Sequence, residues 1–229
     1  MQNKPIGIIG AMQIEIEGLK AEMTEITEEV ISGVTYTSGK LAGKEVVCAV
    51  CGVGKVFAAI AAQTMILRYA PRALLNTGVA GGLADGLAVG DIVLADNVVQ
   101  HDMDTSPLGD PVGLLSGINI VNIPADGALL EALRAATEAC GLKTVVGTVA
   151  TGDQFIASSA QKTRLREVFH AAACEMEGGS IGHVAYVNRV PFAVLRAISD
   201  GGDGMEFSEF VTLAAKNSVA VTREFVKRI

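Results

Sequence analysis

Seven short apolar runs rich in β-branched residues recur along the chain, and they constrain its fold more than any other feature. They cover residues 5–9, 45–50, 73–76, 92–99, 144–149, 171–174 and 191–198. Their length and composition predict β-strands. Apolar residues with helical spacing lie between several of them, for example Ile16, Leu19 and Met23, and, near the end of the chain, Phe210, Ala214, Val221 and Phe225. This alternation of strands and helices predicts an α/β fold.

The predicted strands are almost continuously apolar, which is typical of a sheet that is covered on both faces. In such sheets, ligands bind at the carboxyl ends of the strands. The chain has 229 residues, of which 50% are hydrophobic, 19% are charged and 26 are glycine. This composition suits one large buried sheet with tight turns, so we predict a single domain over residues 1–229.

The charge pattern excludes two classes of partner. The formal net charge is −7 and no Lys/Arg cluster occurs, so the basic surface that binds nucleic acid or anionic lipid is missing. No apolar run approaches the ~20 residues of a membrane span. The short stretch at residues 5–12 is followed by Glu15 and Glu17 rather than by a cleavage site, so we expect no export signal.

The four cysteines are Cys48, Cys51, Cys140 and Cys174. Cys48 and Cys51 form a C-x-x-C pair, but strand alternation places them on opposite faces of a buried strand. The three histidines show no ligand spacing either, so we predict no metal site. Reduced core cysteines favour a cytoplasmic location.

Residues 100–122 differ from the rest of the chain, because their prolines, glycines and scattered apolar residues follow neither the helical nor the strand period. We predict a long irregular loop. Loops of this length in compact domains are usually functional, and the apolar content indicates packing against another surface.

Two glycine motifs mimic nucleotide-binding loops. The segment Gly7-Ile-Ile-Gly10 follows a strand, but its glycine spacing differs from the dinucleotide fingerprint. The segment Cys51-Gly-Val-Gly-Lys55 lacks the leading glycine of a P-loop and the hydroxyl residue after the lysine. Neither motif predicts a cofactor, and we expect none.

Four acids and one arginine follow or end the predicted strands: Glu15, Glu175, Glu177, Arg196 and Asp200. Glu15 could serve only helix-start electrostatics, and Glu175 or Glu177 could cap the next helix. Arg196 is embedded in an apolar strand and needs a carboxylate partner, and alternation places Asp200 on the same face. Carboxylates gathered at one sheet edge can protonate a leaving base, stabilise a sugar cation and activate water.

Seven motifs in order carry a resemblance to a known family. They are Gly7-Ile-Ile-Gly-Ala-Met12 with Glu15, Gly52-Val-Gly-Lys55, Asn76-Thr-Gly-Val-Ala-Gly-Gly82, Gly90-Asp91-Ile-Val, Thr151-Gly-Asp-Gln-Phe155-Ile156, Glu175-Met-Glu177 and Arg196-Ala-Ile-Ser-Asp200. Nearly from end to end, the chain resembles the 5′-methylthioadenosine/S-adenosylhomocysteine nucleosidases of the purine nucleoside phosphorylase superfamily. The resemblance implies one α/β domain with a mixed, partly closed central sheet flanked by helices. It also implies a homodimer in which loop 100–122 closes the partner's site.

The resemblance implies hydrolysis of an adenine nucleoside. Glu15 would activate water, and Asp200, aided by Ser199, would protonate nitrogen 7 of the purine. Glu177 and Met176 would bind the ribose, and Phe155 and the backbone of Ile156 would bind adenine. Arg196 would hold the water, and Met12, Val53 and Phe207 would bind the alkylthio tail. Val79 and Glu175 complete the predicted binding residues. The chain departs from the family at Val79, where serine is common, in residues 105–110, which lack aromatic side chains, and in a shortened stretch between Asp200 and Phe207.

Three alternative functions would use a similar pocket. A phosphorylase needs arginines that clamp phosphate, including one from the N-terminal half, and this chain has none before Arg68. Glu15 would also repel phosphate but suits water. An aminodeoxyfutalosine nucleosidase would use the same machinery with another tail, and the sequence does not separate it from the main reading. A nucleoside-binding sensor would not need both Glu15 and Asp200.

Overall fold

A computed structural model of the chain describes residues 4–200 and 204–229. The strands are β1 (Ile6–Gly10), β2 (Thr24–Ile31), β3 (Val34–Leu41), β4 (Lys44–Val50), β5 (Ala73–Gly82), β6 (Ile92–Gln100), β7 (Ile123–Pro124), β8 (Thr144–Thr151), β9 (Ala171–Glu175) and β10 (Phe192–Asp200). The helices are α1 (Gln13–Lys20), α2 (Lys55–Tyr69), α3 (Gly127–Ala139), α4 (Ser159–Phe169), α5 (Gly178–Asn188) and α6 (Gly204–Arg228).

The strands form one mixed sheet that closes on itself at one end. β10 pairs with β5 in parallel and with β6 antiparallel, and the order continues through β8 and β9 back to β5. These five strands therefore form a closed ring. β1, β4, β3 and β2 extend from β5 as an open sheet, with β1 parallel to both of its neighbours. The predicted mixed, partly closed sheet of a single-domain α/β fold is confirmed.

Two apolar cores cover the two faces of the sheet, as the continuous apolar strands predict. One core contains buried residues of α2 and α5, and the other contains those of α1, α3 and α6. Cys51 lies in the first core and Cys48 in the second, so their placement on opposite faces is confirmed. All four cysteines are free. In the described ranges, no helix combines the length and the apolarity that a membrane crossing requires.

All seven apolar runs form strands, but β2, β3 and the two-residue β7 were not predicted from the sequence. β2 is an edge strand that pairs only with β3 in the described sheet, and most of its side chains are exposed. Glu25, Glu28 and Glu29 therefore replace the apolar residues on which the prediction depends. Charged edge strands of this kind also discourage pairing with other chains.

The predicted irregular loop is present between Gln100, the last residue of β6, and β7. Its regular structure is one turn of 3-10 helix at Ser106–Leu108 and an isolated bridge between Leu115 and Ile120. Leu115 is buried in the core that contains α2, and Ile120 packs against that core. The predicted packing of this loop is therefore found, within the same chain.

Candidate active site

A cavity of about 290 Å³ opens where β1, β5, β9 and β10 end. Its wall contains twelve of the thirteen predicted site residues: Met12, Glu15, Val53, Val79, Phe155, Ile156, Glu175, Met176, Glu177, Ser199, Asp200 and Phe207. Ala11, Ala80, Gly81, Gln154 and Cys174 complete the wall. The carboxyl edge of the sheet thus gathers these side chains into one place. Each residue's predicted role toward a ligand stays a prediction.

Arg196 is the predicted site residue that does not line the cavity. It is 1% exposed, and its guanidinium Nη2 donates to Glu175 Oε2 and to Asn76 Oδ1 and lies 3.9 Å from Glu177 Oε2. The predicted carboxylate partner is therefore found. Arg196 therefore contacts the carboxylates rather than the cavity, and its predicted contact with a water stays a prediction.

Asp200 lines the cavity, but β10 does not keep the regular alternation by which the sequence placed Asp200 on the same face as Arg196. A register shift between Ile198 and Asp200 interrupts the pairing of β10 with β5. Such irregularities break the two-residue alternation of a strand. Consecutive residues, Ser199 and Asp200, can therefore both line the cavity. Ser199 Oγ donates to Asp200 Oδ2 at 2.7 Å, which fixes the orientation of the carboxyl.

Glu15 combines the helix-start function with a contact to the neighbouring strand β5. Its Oε2 accepts hydrogen bonds from the backbone amides of Ala11 and Met12, at 2.7 and 2.9 Å, in the first turn of α1. Its Oε1 accepts from the amide of Val79 in β5 at 3.0 Å. Burial raises the pKa of Glu15 above its usual range, against the lowering effects of Arg196 and the three amides. A buried carboxylate held in this way is a stronger base than an exposed one.

Glu175 and Glu177 differ in their hydrogen-bond partners. Glu175 Oε2 accepts from the amides of Glu177 and Gly178 at the start of α5, so Glu175 caps this helix as well as pairing with Arg196. Burial alone would raise its pKa, but the guanidinium of Arg196 and the hydroxyl of Thr151 hold the pKa below its usual range. Glu175 is therefore a fixed negative charge.

Glu177 is the more weakly held member of this pair. Its Oε1 accepts from the amide of Gly54 at 2.8 Å, which ties it to the loop before α2. Burial and the neighbouring charge of Glu175 raise the pKa of Glu177 to about 7. A carboxyl that titrates near neutrality on a cavity wall can exchange a proton with a bound ligand.

Aromatic and apolar side chains form the outer part of the wall. The rings of Phe155 and Phe207 meet edge to face with centroids 5.7 Å apart, and Phe155 is 49% exposed. Met12, Val53 and buried Ile156 lie on the same wall. This mixture of aromatic surface and convergent carboxylates suits a small ligand with a flat ring and a polar sugar. The shortened stretch between Asp200 and Phe207 falls partly outside the described residues.

Three further residues, to which the sequence-based predictions assigned no role, hold this site together. Thr151 Oγ1 donates to Glu175 and accepts from the amide of Gly179 at 2.6 Å. Asn76 Nδ2 donates to the carbonyl of Ile9 at 2.9 Å, which leaves Asn76 Oδ1 to accept from Arg196. A Cβ on Gly78 would lie 2.5 Å from Glu15 Oε1, so glycine makes room for that carboxylate. The signal for Thr151 and Asn76 is a polar residue inside an apolar strand.

Two classes of bound group find no support in the geometry. Among the described residues, no group of three or more His, Cys, Asp or Glu side chains could hold a metal ion. The described residues of the cavity wall also include no Lys or Arg. Phosphate sites rely on such cations, so the wall offers no clamp for a phosphate dianion.

Comparisons with known proteins agree with this geometry. The sequence model of the phosphorylase superfamily matches residues 5–227. A 5′-methylthioadenosine/S-adenosylhomocysteine nucleosidase of Shewanella pealeana is 38% identical over 229 residues, covering 98% of this chain and 99% of that protein. The structure of the Neisseria meningitidis nucleosidase of the same description, in complex with methylthio-immucillin-A, is 35% identical with a TM-score of 0.96, covering 99% of this chain and 100% of that one. The futalosine hydrolase of Helicobacter pylori is 31% identical with a TM-score of 0.95, covering 99% of each chain.

Proposed function

The chain belongs to the phosphorylase superfamily, and on that premise we propose that it hydrolyses the N-glycosidic bond of 5′-methylthioadenosine and S-adenosylhomocysteine. It is an N-ribosyl hydrolase that releases adenine and the 5-thioribose product. The observation that carries the proposal is the placement of Glu15, Glu177 and Asp200 around one cavity whose described wall has no cation. The similar nucleosidases give the substrate class.

In the proposed reaction the bond between the sugar carbon C1′ and purine nitrogen 9 breaks, and a water oxygen bonds to C1′. Asp200, oriented by Ser199, gives a proton to nitrogen 7 of the purine, so that adenine leaves as a neutral base. Glu15 takes a proton from the attacking water. Both transfers are general acid–base steps, each of which typically contributes about 10²–10⁴-fold to a rate.

In this proposal, different residues of the cavity wall bind the sugar, the base and the tail of the substrate. Glu177 accepts hydrogen bonds from ribose hydroxyls, and its charge stabilises the cation that develops on the sugar. Phe155 stacks on adenine, while the backbone of Ile156 binds the purine edge. Met12, Val53 and Phe207 hold the alkylthio tail. Arg196 keeps Glu175 and Glu177 in place from behind.

Water rather than phosphate is the nucleophile because of the charge around Glu15. Arg196 is already engaged by Glu175 and lies outside the cavity wall. A phosphate dianion beside Glu15 would meet repulsion without a compensating clamp. The charge pattern therefore favours a hydrolase over a phosphate-dependent phosphorylase.

A release assay for free adenine tests the proposal. We expect adenine from 5′-methylthioadenosine at the same rate with and without phosphate. Glu15→Gln and Asp200→Asn should each lower kcat by about 10²–10⁴-fold while substrate still binds. The matched control is Glu17→Gln, which removes an exposed carboxylate two residues along the same helix and should leave kcat unchanged. Release that requires phosphate, or full activity of Glu15→Gln, contradicts the proposal.

The similarity to futalosine hydrolase favours a second candidate, an aminodeoxyfutalosine nucleosidase. It would use the same acid and base and differ only in the tail that Met12, Val53 and Phe207 accept. Running the adenine assay on 5′-methylthioadenosine, S-adenosylhomocysteine, deoxyadenosine and aminodeoxyfutalosine separates the two. A kcat/KM for aminodeoxyfutalosine above those of both thionucleosides would replace the main assignment.

We also propose a homodimer in which loop 100–122 lies at or near the interface. α2 exposes Val56, Phe57 and Ile60 on one side, beside the Val53 that lines the cavity, and Leu108 of the loop is 84% exposed. Exposed apolar surface next to a site is typical of a subunit contact. Light scattering should give twice the chain mass for the wild type and a monomer for Phe57→Glu. A monomeric wild type at micromolar concentration contradicts the dimer.

The cellular setting follows from the substrate. We propose a cytoplasmic enzyme of methionine salvage, because free thiols at all four cysteines suit a reducing compartment. Cell fractionation, with the adenine-release assay on each fraction, tests the location.

A further inference from the structure

Two irregular segments carry much of the cavity wall. Residues 51–54 join β4 to α2 and include Val53, and residues 152–158 join β8 to α4 and include Phe155 and Ile156. Neither segment belongs to a strand or a helix, and their backbone–backbone hydrogen bonds to the adjacent chain lie at their starts, such as those from Gly52 N to Ala11 O and from Gly152 N to Glu175 O. Whatever holds these segments also sets the shape of the cavity.

A closed ring of hydrogen bonds joins the two segments through three residues, Lys55, Asp102 and Asp153, which we call the clamp. Lys55 Nζ donates to Asp102 Oδ1 at 2.6 Å. Asp102 Oδ2 accepts from the backbone amide of Asp153 at 2.9 Å, and Asp153 Oδ1 accepts from the backbone amide of Lys55 at 2.8 Å. Each member of the clamp therefore bonds to both of the others.

The clamp is connected to the cavity wall through two neighbouring segments. Asp153 directly precedes Gln154, Phe155 and Ile156, all of which line the cavity. On the other side, Asp153 lies against Gly54, where an added Cβ would be 3.0 Å from Asp153 Oδ1. The amide of Gly54 donates to Glu177 Oε1. A shift of the clamp would therefore move the purine wall and the donor that orients Glu177.

The ion pair in the clamp is better shielded than the ordinary surface pairs of this chain. The side chains of Lys55 and Asp102 are 20% and 17% exposed, whereas those of the Lys20–Glu28 pair are 27% and 50% exposed. Burial raises the pKa of Asp102, but Lys55 and the Asp153 amide overcome this effect and hold the pKa below its usual range. Shielding strengthens charge–charge attraction, so this pair resists opening more than an exposed one.

We propose that Lys55, Asp102 and Asp153 are positioning residues. They hold Phe155 and Ile156, and the Gly54 amide that donates to Glu177, in the positions that substrate binding requires. They do not line the cavity themselves. The inference rests on the proposed nucleosidase function for its substrate, but the clamp geometry stands without it.

Steady-state kinetics with 5′-methylthioadenosine test the clamp. Lys55→Met and Asp102→Asn should each raise KM about 10-fold and change kcat less than about 3-fold, because the catalytic carboxylates remain. The double variant should be no worse than the worse single one, since both changes open the same ring. Lys55→Arg, which keeps the charge, should recover part of the loss. Lys20→Met, which opens the Lys20–Glu28 surface pair, is the matched control and should leave KM unchanged.

A KM within twofold of the wild type, or losses that multiply in the double variant, overturns the proposal. If Lys55→Met does not fold, Asp102→Asn, which keeps the shape of its side chain, decides by the same thresholds. Hydrogen exchange of the free protein separates this result from a failure of the proposed function. Amides of residues 153–156 should exchange faster in Asp102→Asn than in wild type or Lys20→Met, whatever the substrate. Unchanged exchange refutes the clamp, whereas an inactive wild type refutes only the nucleosidase.

Discussion

Replacing Arg196 with methionine should be the most damaging single change to the stability of this protein. Arg196 is 1% exposed, and its guanidinium pairs with Glu175, lies 3.9 Å from Glu177 and is close enough to Glu15 to lower the pKa of that carboxyl. Methionine fills a similar volume without charge. The substitution therefore leaves a buried cluster of carboxylates with no cation, which is the costly way to break a buried ion pair.

The expected loss follows from the burial of these groups. Removing one partner of a buried ion pair typically costs about 3–5 kcal/mol. For a chain of this size, each kcal/mol lowers Tm by roughly 2–4 °C, so Arg196→Met should melt about 6–20 °C below the wild type. Opening an exposed pair such as Lys20–Glu28 should cost far less, because solvent screens the attraction between its charges.

Urea unfolding at pH 7, followed by circular dichroism, measures these free energies. The double variant Glu175→Gln/Arg196→Met should be more stable than Arg196→Met alone, because it removes one of the uncompensated charges. Lys20→Met is the surface control. A loss below about 1 kcal/mol in Arg196→Met, or no recovery in the double variant, would show that the arginine does not balance this cluster.

Of three further predictions, two concern residues of the site and one concerns the start of α3. Gly78→Ala should lower kcat roughly 10²-fold in the adenine assay, because its Cβ would lie 2.5 Å from Glu15 Oε1 and displace that carboxylate. The pKa of Glu177 is raised to about 7, so its stabilising contribution is complete below the pKa of an unfolded glutamate and is lost as pH rises through 7. Urea unfolding of Glu177→Gln between pH 5 and 8 should therefore show a smaller fall in stability than that of the wild type. Asp126→Ala should cost about 1 kcal/mol, because Asp126 Oδ1 caps α3 by accepting from two backbone amides.

Each of these predictions has a control or a contrary outcome. Gly127→Ala places a Cβ where no atom lies within 4 Å, so it should keep full activity, and equal losses at Gly78 and Gly127 would refute the steric argument. Parallel pH profiles of wild type and Glu177→Gln would rule out the titration of Glu177 as the cause. An unchanged unfolding midpoint in Asp126→Ala would mean that the cap contributes nothing.

The sequence by itself was enough to locate the strands and the edge where the site forms. Apolar β-branched runs that are buried on both faces leave little choice of conformation, and all seven became strands. Because their carboxyl ends meet at one edge, the strand pattern alone predicts that Glu15, Glu175, Glu177 and Asp200 lie together, and all four line one cavity. The prediction failed at β2, since an exposed edge strand needs no apolar residues.

Only the tertiary structure decided what each charge does. Arg196 and Asp200 look equivalent along β10, yet the register shift after Ile198 puts Asp200 on the cavity wall and leaves Arg196 behind Glu175. Besides its two local hydrogen bonds, Glu15 acquires a third from the amide of Val79, 64 residues away. Local patterns determine burial and secondary structure because those depend on near neighbours. The partner of a buried charge depends on which strands close the ring, and that is settled by packing over the whole chain.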